Sequence, residues 1–561
     1  MRLKFNLNSI RLNFFTRNIC WANRFTILSL GSWLCIGLLC CPTDNGGSGL
    51  SLAFNILTWM ILAITLFGLC VITPYPTSMA AMPKLIVIGA VLWTLPLLWS
   101  CSDNDRLSAL PHILALWALL VLLGGLRIIR ASAFRSVWLI VIWTAACLQG
   151  GYGLFQTFSH VPEIRPMGVF YQPNLLASLL STGLVCLLYQ RWLTPGRERN
   201  IYLFRLAQGL ALIFLSFMLV LSQSRTGWLG AIMATGVLLI YALRQKQQGC
   251  FLFDLCLIVT GISMALVWQH GLIVVSKQAS SESRLLIIRT TWHLIQQHPW
   301  IGWGYGSFER VFGNQLEADR AGHGLPLIHP HNELLYAWAE GGVIALGGLV
   351  LMIAGVLRGL WQHGGLGWCG VALLLPLATH ISLEYPLYQS VPHGLVLMLL
   401  LTMTLSPFAG DTADRRNVGC EIWLRLATLI SSITVLIFMA GTLQTQRYMI
   451  AVEREAMMPL AVNEGAVMAA LWNKYGLAER LDYDRHIALL MRFNQTRDVR
   501  LLYRFDSWAT SWLFHHADTN VAVSRLMIAR AIAPSRYLAL CKELHRRYPD
   551  EPRISCSEPN Q

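Results

Sequence analysis

Thirteen apolar runs, each long enough to cross a bilayer as a helix, dominate this sequence. They lie at roughly 25–41, 50–72, 84–100, 110–126, 136–153, 173–190, 206–222, 227–243, 251–268, 333–356, 367–383, 393–407 and 425–444. In hydrocarbon a segment must satisfy its own backbone N–H and C=O groups, so runs of this length become helices. The expectation is an all-α polytopic membrane protein of about thirteen transmembrane helices. Composition agrees: 55% of the 561 residues are hydrophobic and only 13% charged, where a soluble domain carries about 25% charged residues.

The net charge is +14, from 43 Lys and Arg against 29 Asp and Glu. Nucleic acid is excluded as the reason, because many of the basic residues lie in short loops between apolar runs, where a positive-inside bias belongs. With the N-terminus inside, nineteen Lys and Arg fall on the inner side, among them Arg127, Arg130, Arg135, Arg191 and Arg205. Eight fall outside: Arg106, Arg165, Arg225, Lys277, Arg284, Arg289, Arg310 and Arg320. An odd number of helices then puts the tail outside. The basic residues after 445 do not bear on orientation, because a long translocated segment escapes the rule.

The expected organisation is a cytoplasmic N-terminus (1–24), nine helices (25–268), an outer loop (269–332), four helices (333–444) and an outer helical domain (445–561). The first 24 residues carry Arg2, Lys4, Arg11, Arg17 and Arg24. They resemble a signal n-region, but no small-residue cleavage site follows convincingly, so a retained first helix is expected. Fourteen cysteines show no CxxC pair and no zinc-type spacing. Cys541 and Cys556 lie in the tail, where an oxidising compartment allows them to pair.

The outer side holds the polar features. His329-Pro330-His331-Asn332-Glu333 ends the longest loop and leads into a glycine-rich apolar helix. Pro330 resists helix directly before His331, and Asn332 is a good N-cap, so the helix is expected to start here. A His that merely ends a loop fits these residue types equally well. Upstream, Ser283 to Gln297 reads as an amphipathic helix stopped by His298-Pro299, lying on or dipping into the membrane. Arg289, His293 and Gln296 share one face of it, while Arg284 points about 140° away from Arg289. Gly302-Trp303-Gly304-Tyr305-Gly306 reads as a turn with interfacial aromatics. Further outer features are Phe170-Tyr171-Gln172-Pro173-Asn174, the tight turn Ser222-Gln223-Ser224-Arg225-Thr226-Gly227, and a patch of His380, Glu384, Tyr385, Tyr388, Gln389 and His393.

Arg225 and Arg284 at the outer mouth suit an anion with several oxygens, because a guanidinium offers forked donors that match phosphate. Positive charge is disfavoured in short outer loops, which argues against Arg225 as a mere topology residue. An imidazole at 331 titrates close to working pH and suits a general base for an acceptor hydroxyl. There is no HExxH, and His293, His323, His329 and His331 have no carboxylate at metal-ligand spacing, so no metal is expected. A transporter would place charges near the bilayer midplane and repeat its halves. Here the charges sit at the outer ends, and no internal repeat is evident.

His331 followed by ten residues and Gly342 resembles the signature of the O-antigen ligase superfamily, as does Arg225 followed by three residues and Leu229. The Ser224-Arg225-Thr226-Gly227 turn and the stretch from Arg284 through Trp292 to Gly302-Trp303-Gly304-Tyr305-Gly306-Ser307-Phe308 are similar to it as well. These matches cover roughly 160–400. Phe170-Tyr171-Gln172-Pro173-Asn174-Leu175-Leu176-Ala177 and the long tail resemble the PglL-type protein O-oligosaccharyltransferases within that superfamily. The resemblance implies a GT-C-like glycosyltransferase of the bacterial inner membrane, with its site facing the periplasm and no cofactor. It implies transfer of a glycan from undecaprenyl diphosphate to Ser or Thr of a periplasmic protein or pilin. By the family pattern His331 is catalytic and Arg225 and Arg284 bind diphosphate. Gln172, Asn174, Tyr385 and Tyr388 are added as glycan or acceptor contacts. The alternatives are an O-antigen ligase acting on lipid A-core and a polysaccharide polymerase.

Overall fold

The computed structural model describes residues 20–42, 44–73, 83–100, 102–127, 132–159, 165–193, 201–245, 251–268, 278–318, 327–362, 365–405 and 418–556. Among the described residues there are helices and turns and no strand. Nine helices among them are long and apolar enough to cross a membrane: Ala53–Ile72, Asp103–Leu126, Arg135–Ser159, Pro173–Leu193, Tyr202–Leu221, Arg225–Arg244, Phe251–Trp268, Glu333–Trp361 and Ile422–Arg454. Three shorter apolar helices, Lys84–Trp99, Gly367–Leu383 and Val391–Leu405, coincide with three further runs. The remaining run, at 25–41, is helical but broken into a π turn at Ile27–Gly31, a helical turn at Ser32–Cys35 and a 3-10 turn at Gly37–Cys40. The chain is a polytopic, all-helical membrane protein, as the thirteen runs lead one to expect.

It folds as two compact units. The first comprises Met1–Val87, Ala115–Val275 and Met352–Ala440; the second comprises Ile88–Leu114, Ser276–Leu351 and Gly441–Gln561.

The first unit is built on Pro173–Leu193, which is buried along almost its whole length. A helix enclosed on all sides has no lipid face, so its polar residues must find partners inside the protein. They do. Thr182 Oγ1 donates to the Ser178 carbonyl at 2.7 Å, and Gln190 Oε1 accepts from Trp143 Nε1 at 3.1 Å. At its far end Arg191 meets the fully buried Asp254, with Nε 2.9 Å from each carboxylate oxygen, and Trp192 Nε1 donates to the same carboxylate at 2.8 Å. Arg191, a charge of an inner loop by sequence, is thus half of a buried ion pair in the last turn of this helix. Beside this helix, Gly230 lies against the Pro376 backbone; a Cβ there would stand 2.9 Å from Pro376 Cα. Small residues permit such contact where no hydrophobic force drives helices together.

The second unit gathers the loop helices Gln278–Gln297 and Phe308–Ala318 around the start of Glu333–Trp361. Ile287, Leu294, Phe308, Phe312, Leu316 and Ala339 form one apolar cluster there. The tail contributes Ala478–Thr496, Val499–His515, Thr519–Ile532 and Pro534–Arg547. Each packs on the next, burying Phe505, Ala509, Leu513, Val521 and Leu544. Asp498 and Asp518 cap two of them, through Arg500 N at 3.1 Å and Asn520 N at 3.0 Å. Cys541 and Cys556 are disulfide-bonded. Tail and loop meet at Glu309, which accepts from the Ala517 amide at 3.0 Å and pairs with His516 Nδ1 at 3.0 Å.

Candidate active site

The entry to Glu333–Trp361 is built as its residue types dictate. Asn332 Oδ1 accepts from the Leu335 amide at 3.0 Å, and Asn332 O from the Tyr336 amide at 2.9 Å, so Asn332 is the N-cap. Directly before it, His331 has φ of 58°, the left-handed region that a residue with a Cβ seldom adopts. The His331 amide donates to His329 Nδ1 at 3.0 Å, and His329 Nε2 lies 3.2 Å from Glu333 Oε2. His329 itself is buried, its ring 4.5 Å from that of Tyr336. His331 is half-buried.

Nine residues into this helix the backbone breaks, at Gly342 with φ 64° and ψ −163°. The backbone groups released there are met by the glycine-rich loop. The Val343 amide donates to Pro299 O at 3.1 Å, the Trp303 amide to Ala339 O at 3.0 Å and the Gly304 amide to Glu340 O at 2.8 Å. The buried Glu340 side chain accepts from the Phe308 amide at 2.9 Å, at the start of the preceding helix Phe308–Ala318. Tyr305, expected at the interface, is instead buried and donates its hydroxyl to the Trp93 carbonyl. Burial first, then the charges of Glu340 and Glu333, push that phenol well above its ordinary pKa. A phenol with a buried carbonyl within reach gains more there than at the interface. Trp303, the other aromatic of that turn, is half-buried and donates its indole N–H to the Leu294 carbonyl at 3.0 Å.

The amphipathic helix starts at Gln278, earlier than Ser283, and ends at Gln297. Ile287, Thr290, Thr291, Leu294 and Ile295 turn inward. Arg289, His293 and Gln296 lie together on the exposed side, whereas Arg284 is half-buried. Leu285, Ile288 and Trp292 form an exposed apolar stripe, the pattern of a helix lying against lipid. Lys277, Arg320 and His323 lie outside the described residues.

In the first unit Arg225 is exposed and opens the helix Arg225–Arg244. Ser224 caps that helix by accepting from the Gly227 amide at 3.3 Å, and Gln223 turns the chain with φ of 50°. Gln172 and Asn174 both face one carboxylate. Asn174 Nδ2 donates to Glu384 Oε1 at 2.6 Å and Gln172 Nε2 to Glu384 Oε2 at 3.5 Å, while His380 Nε2 lies 3.2 Å from Glu384 Oε2. Arg165 Nε donates to the Ser222 carbonyl at 2.8 Å and Nη2 reaches Asn174 Oδ1 at 3.4 Å. Its guanidinium is held below its ordinary pKa by burial, against the opposing charge of Glu384. Tyr385, directly before the short helix Pro386–Gln389, and Tyr388, within it, are half-buried. Burial raises the Tyr385 phenol, a hydrogen bond with Gln389 opposes this, and the Glu384 charge adds to it.

The residues that sequence reasoning undervalued are Glu384, Arg165 and His329. Glu384 gathers Gln172, Asn174 and His380; only its i+4 spacing from His380 was readable locally. Arg165, by sequence a loop charge, ties the 165–174 segment to the turn bearing Arg225. His393, part of the polar patch by sequence, is buried inside the helix Val391–Leu405: Nε2 lies 2.9 Å from the Leu175 carbonyl and Nδ1 2.7 Å from Ser390 Oγ. Among the described residues no group of three His, Cys, Asp or Glu is arranged to hold a metal ion.

Comparison with known proteins bears on both parts. Residues 368–458, which include Glu384, Tyr385 and Tyr388, match the family described as virulence factor membrane-bound polymerase, C-terminal. Residues 210–350, which include Arg225, Arg284, His331 and Gly342, match the O-Antigen ligase family. The O-antigen ligase of Salmonella typhimurium (strain LT2) is 30% identical over 177 residues, 28% of this chain and 42% of that protein. The matched stretch thus spans less than half the length of that relative. Together these likenesses support the O-antigen ligase superfamily for this chain.

Proposed function

We propose that the chain is a protein O-oligosaccharyltransferase of the bacterial inner membrane, its site facing the periplasm. It moves a glycan en bloc from undecaprenyl diphosphate to a Ser or Thr hydroxyl of a periplasmic protein or pilin. The observation that carries this reading is His331, presented in a left-handed turn directly before the N-cap Asn332 of a spanning helix, inside the segment that matches the O-Antigen ligase family. The acceptor hydroxyl gives its proton to His331, and its oxygen attacks the sugar C1 opposite the diphosphate. The C1–O bond breaks with inversion, and the diphosphate leaves with the electron pair. Arg225 and Arg284 stabilise its growing negative charge, the largest electrostatic contribution in such a step. No metal is required. Gln172, Asn174, Tyr385 and Tyr388 shape the glycan and acceptor side, with Glu384 holding the two amides.

The long helical tail favours a protein acceptor, and its disulfide fits an oxidising compartment. The second reading is an O-antigen ligase acting on lipid A-core, and the likeness to the O-antigen ligase of Salmonella typhimurium supports the ligase part of it. Membranes containing the chain and a lipid-linked glycan are supplied in parallel with a pilin and with lipid A-core, in EDTA. A mass increase on the pilin that disappears with His331→Ala is expected. Glycan on lipid A-core alone would replace this reading by the second, and loss of transfer in EDTA, restored by one divalent ion, would end the metal-free mechanism.

A further inference from the structure

We propose that His329 is a positioning residue, whose imidazole holds the left-handed backbone of His331 and so decides where the catalytic ring stands. This rests on the reading of His331 as the base. The His331 amide donates to His329 Nδ1 at 3.0 Å, so that nitrogen must be the unprotonated acceptor of the ring. The proton of the neutral ring then sits on Nε2, which faces Glu333 Oε2 at 3.2 Å and donates to it. The carboxylate thus selects the one tautomer of His329 that can accept from His331.

Three features give the arrangement leverage. His329 is 2% exposed and its ring lies on Tyr336, so it cannot swing away without opening the second unit's apolar cluster. His331, at φ 58°, occupies a region that a residue with a Cβ enters only when its surroundings insist. Glu333 is the first residue of the helix that Asn332 caps. His329, His331 and the helix start are therefore locked by three consecutive hydrogen bonds, from the Leu335 amide to Asn332, from His331 to His329 and from His329 to Glu333. Without the middle one, His331 relaxes towards ordinary backbone angles and its imidazole is displaced. A misplacement of about 1 Å costs on the order of 10²-fold in rate.

The test uses two amides that each imitate one ring nitrogen. In His329→Asn, Oδ1 stands near the position of Nδ1 and can still accept from the His331 amide. In His329→Gln the amide reaches the position of Nε2, so the bond to Glu333 can survive while the one to His331 is lost. Both variants, with His329→Ala and His331→Ala, are made in the full-length chain and assayed in membranes at equal enzyme level, with kcat and KM for the lipid-linked donor measured separately. His329→Asn is expected to stay within about threefold of the parent. His329→Gln and His329→Ala should lose about 10²-fold in kcat with KM unchanged. If either fails to accumulate, the comparison of His329→Asn with the other decides. Equal losses in the Asn and Gln variants, or losses confined to KM, overturn the positioning role while an inactive His331→Ala keeps the proposed function. A fully active His331→Ala removes both.

Discussion

Gly342 lies so close to the Trp300 carbonyl that a Cβ at this position would stand 2.2 Å from the oxygen. The ten-residue spacing between His331 and Gly342 thus has a mechanical meaning. It sets the length of helix between the N-cap and the break onto which the glycine-rich loop folds. With φ of 64° and no room for a side chain, Gly342→Ala should lower the thermal midpoint of the detergent-solubilised protein and abolish transfer. Gly347, in the same helix, has open space around it. Gly347→Ala should therefore hold or gain up to about 1 kcal/mol, since alanine is the better helix former. Equal damage from both substitutions would show that the break carries no special demand.

Arg284 and Arg289 separate by exposure, and Arg225, itself exposed, is tested by its chemistry. Arg225→Lys keeps the charge but loses the fork, so a severe loss of transferred glycan is expected. Arg284→Ala should behave likewise, and Arg289→Ala, on the exposed side of its helix, should be milder. The measurement is glycan on the acceptor at equal enzyme level. An inactive Arg289→Ala beside a normal Arg284→Ala would exchange their roles.

Asn174 donates to Glu384 at 2.6 Å, so Asn174→Asp would oppose two carboxylates in a buried place. Arg165, with Nη2 3.4 Å from Asn174 Oδ1, offsets part of that repulsion, so the cost falls below the about 3–5 kcal/mol of a wholly uncompensated buried charge. Asn174→Asp should accumulate poorly in the membrane or melt well below the parent, and Asn174→Ala should suffer less. If the Asp variant is as stable as the Ala variant, Glu384 is not held as an anion by Asn174.

Asp484, 4% exposed, lies against the Glu453–Arg480 pair, in which Arg480 Nε donates at 2.6 Å. Burial, with the Glu453 charge adding and Arg480 opposing, raises its carboxyl from 3.8 to about 7. The folded tail keeps this proton up to about pH 7, while the unfolded chain releases it near 4. Folding therefore takes up a proton between those values, and stability falls as pH rises through them. Asp484→Asn should raise the melting temperature at pH 8 and lose that advantage near pH 4. The same gain at both pH values would point to packing instead of titration.

His516 and His515 pull in opposite directions on acidification. Burial lowers the first, but its hydrogen bond to Glu309 and nearby carboxylates outweigh that and leave its pKa raised. Burial lowers the second, and Asp105 only partly restores it. The His516–Glu309 contribution is present below the unfolded pKa and lost as pH rises through the folded one. His516→Gln should therefore reduce thermal stability more at pH 6 than at pH 8. An equal reduction at both would leave the ionic part of the contact without effect.

Within the sequence alone lay most of what depends on neighbours a few residues apart, though not the bonds that join His329 to His331 and Glu333. The thirteen helical runs, Asn332 as N-cap, the stop at His298-Pro299 and the tail helices follow from hydropathy, capping and proline chemistry, all local properties of the chain. Tertiary structure decided the partners of the polar side chains. Asn174 bonds Glu384 across 210 residues, Arg191 bonds Asp254 across 63, and Tyr305 reaches Trp93 across 212 instead of resting at the interface. A buried donor takes whichever acceptor the packed helices bring within about 3 Å, and that choice is made only when distant segments close on one another.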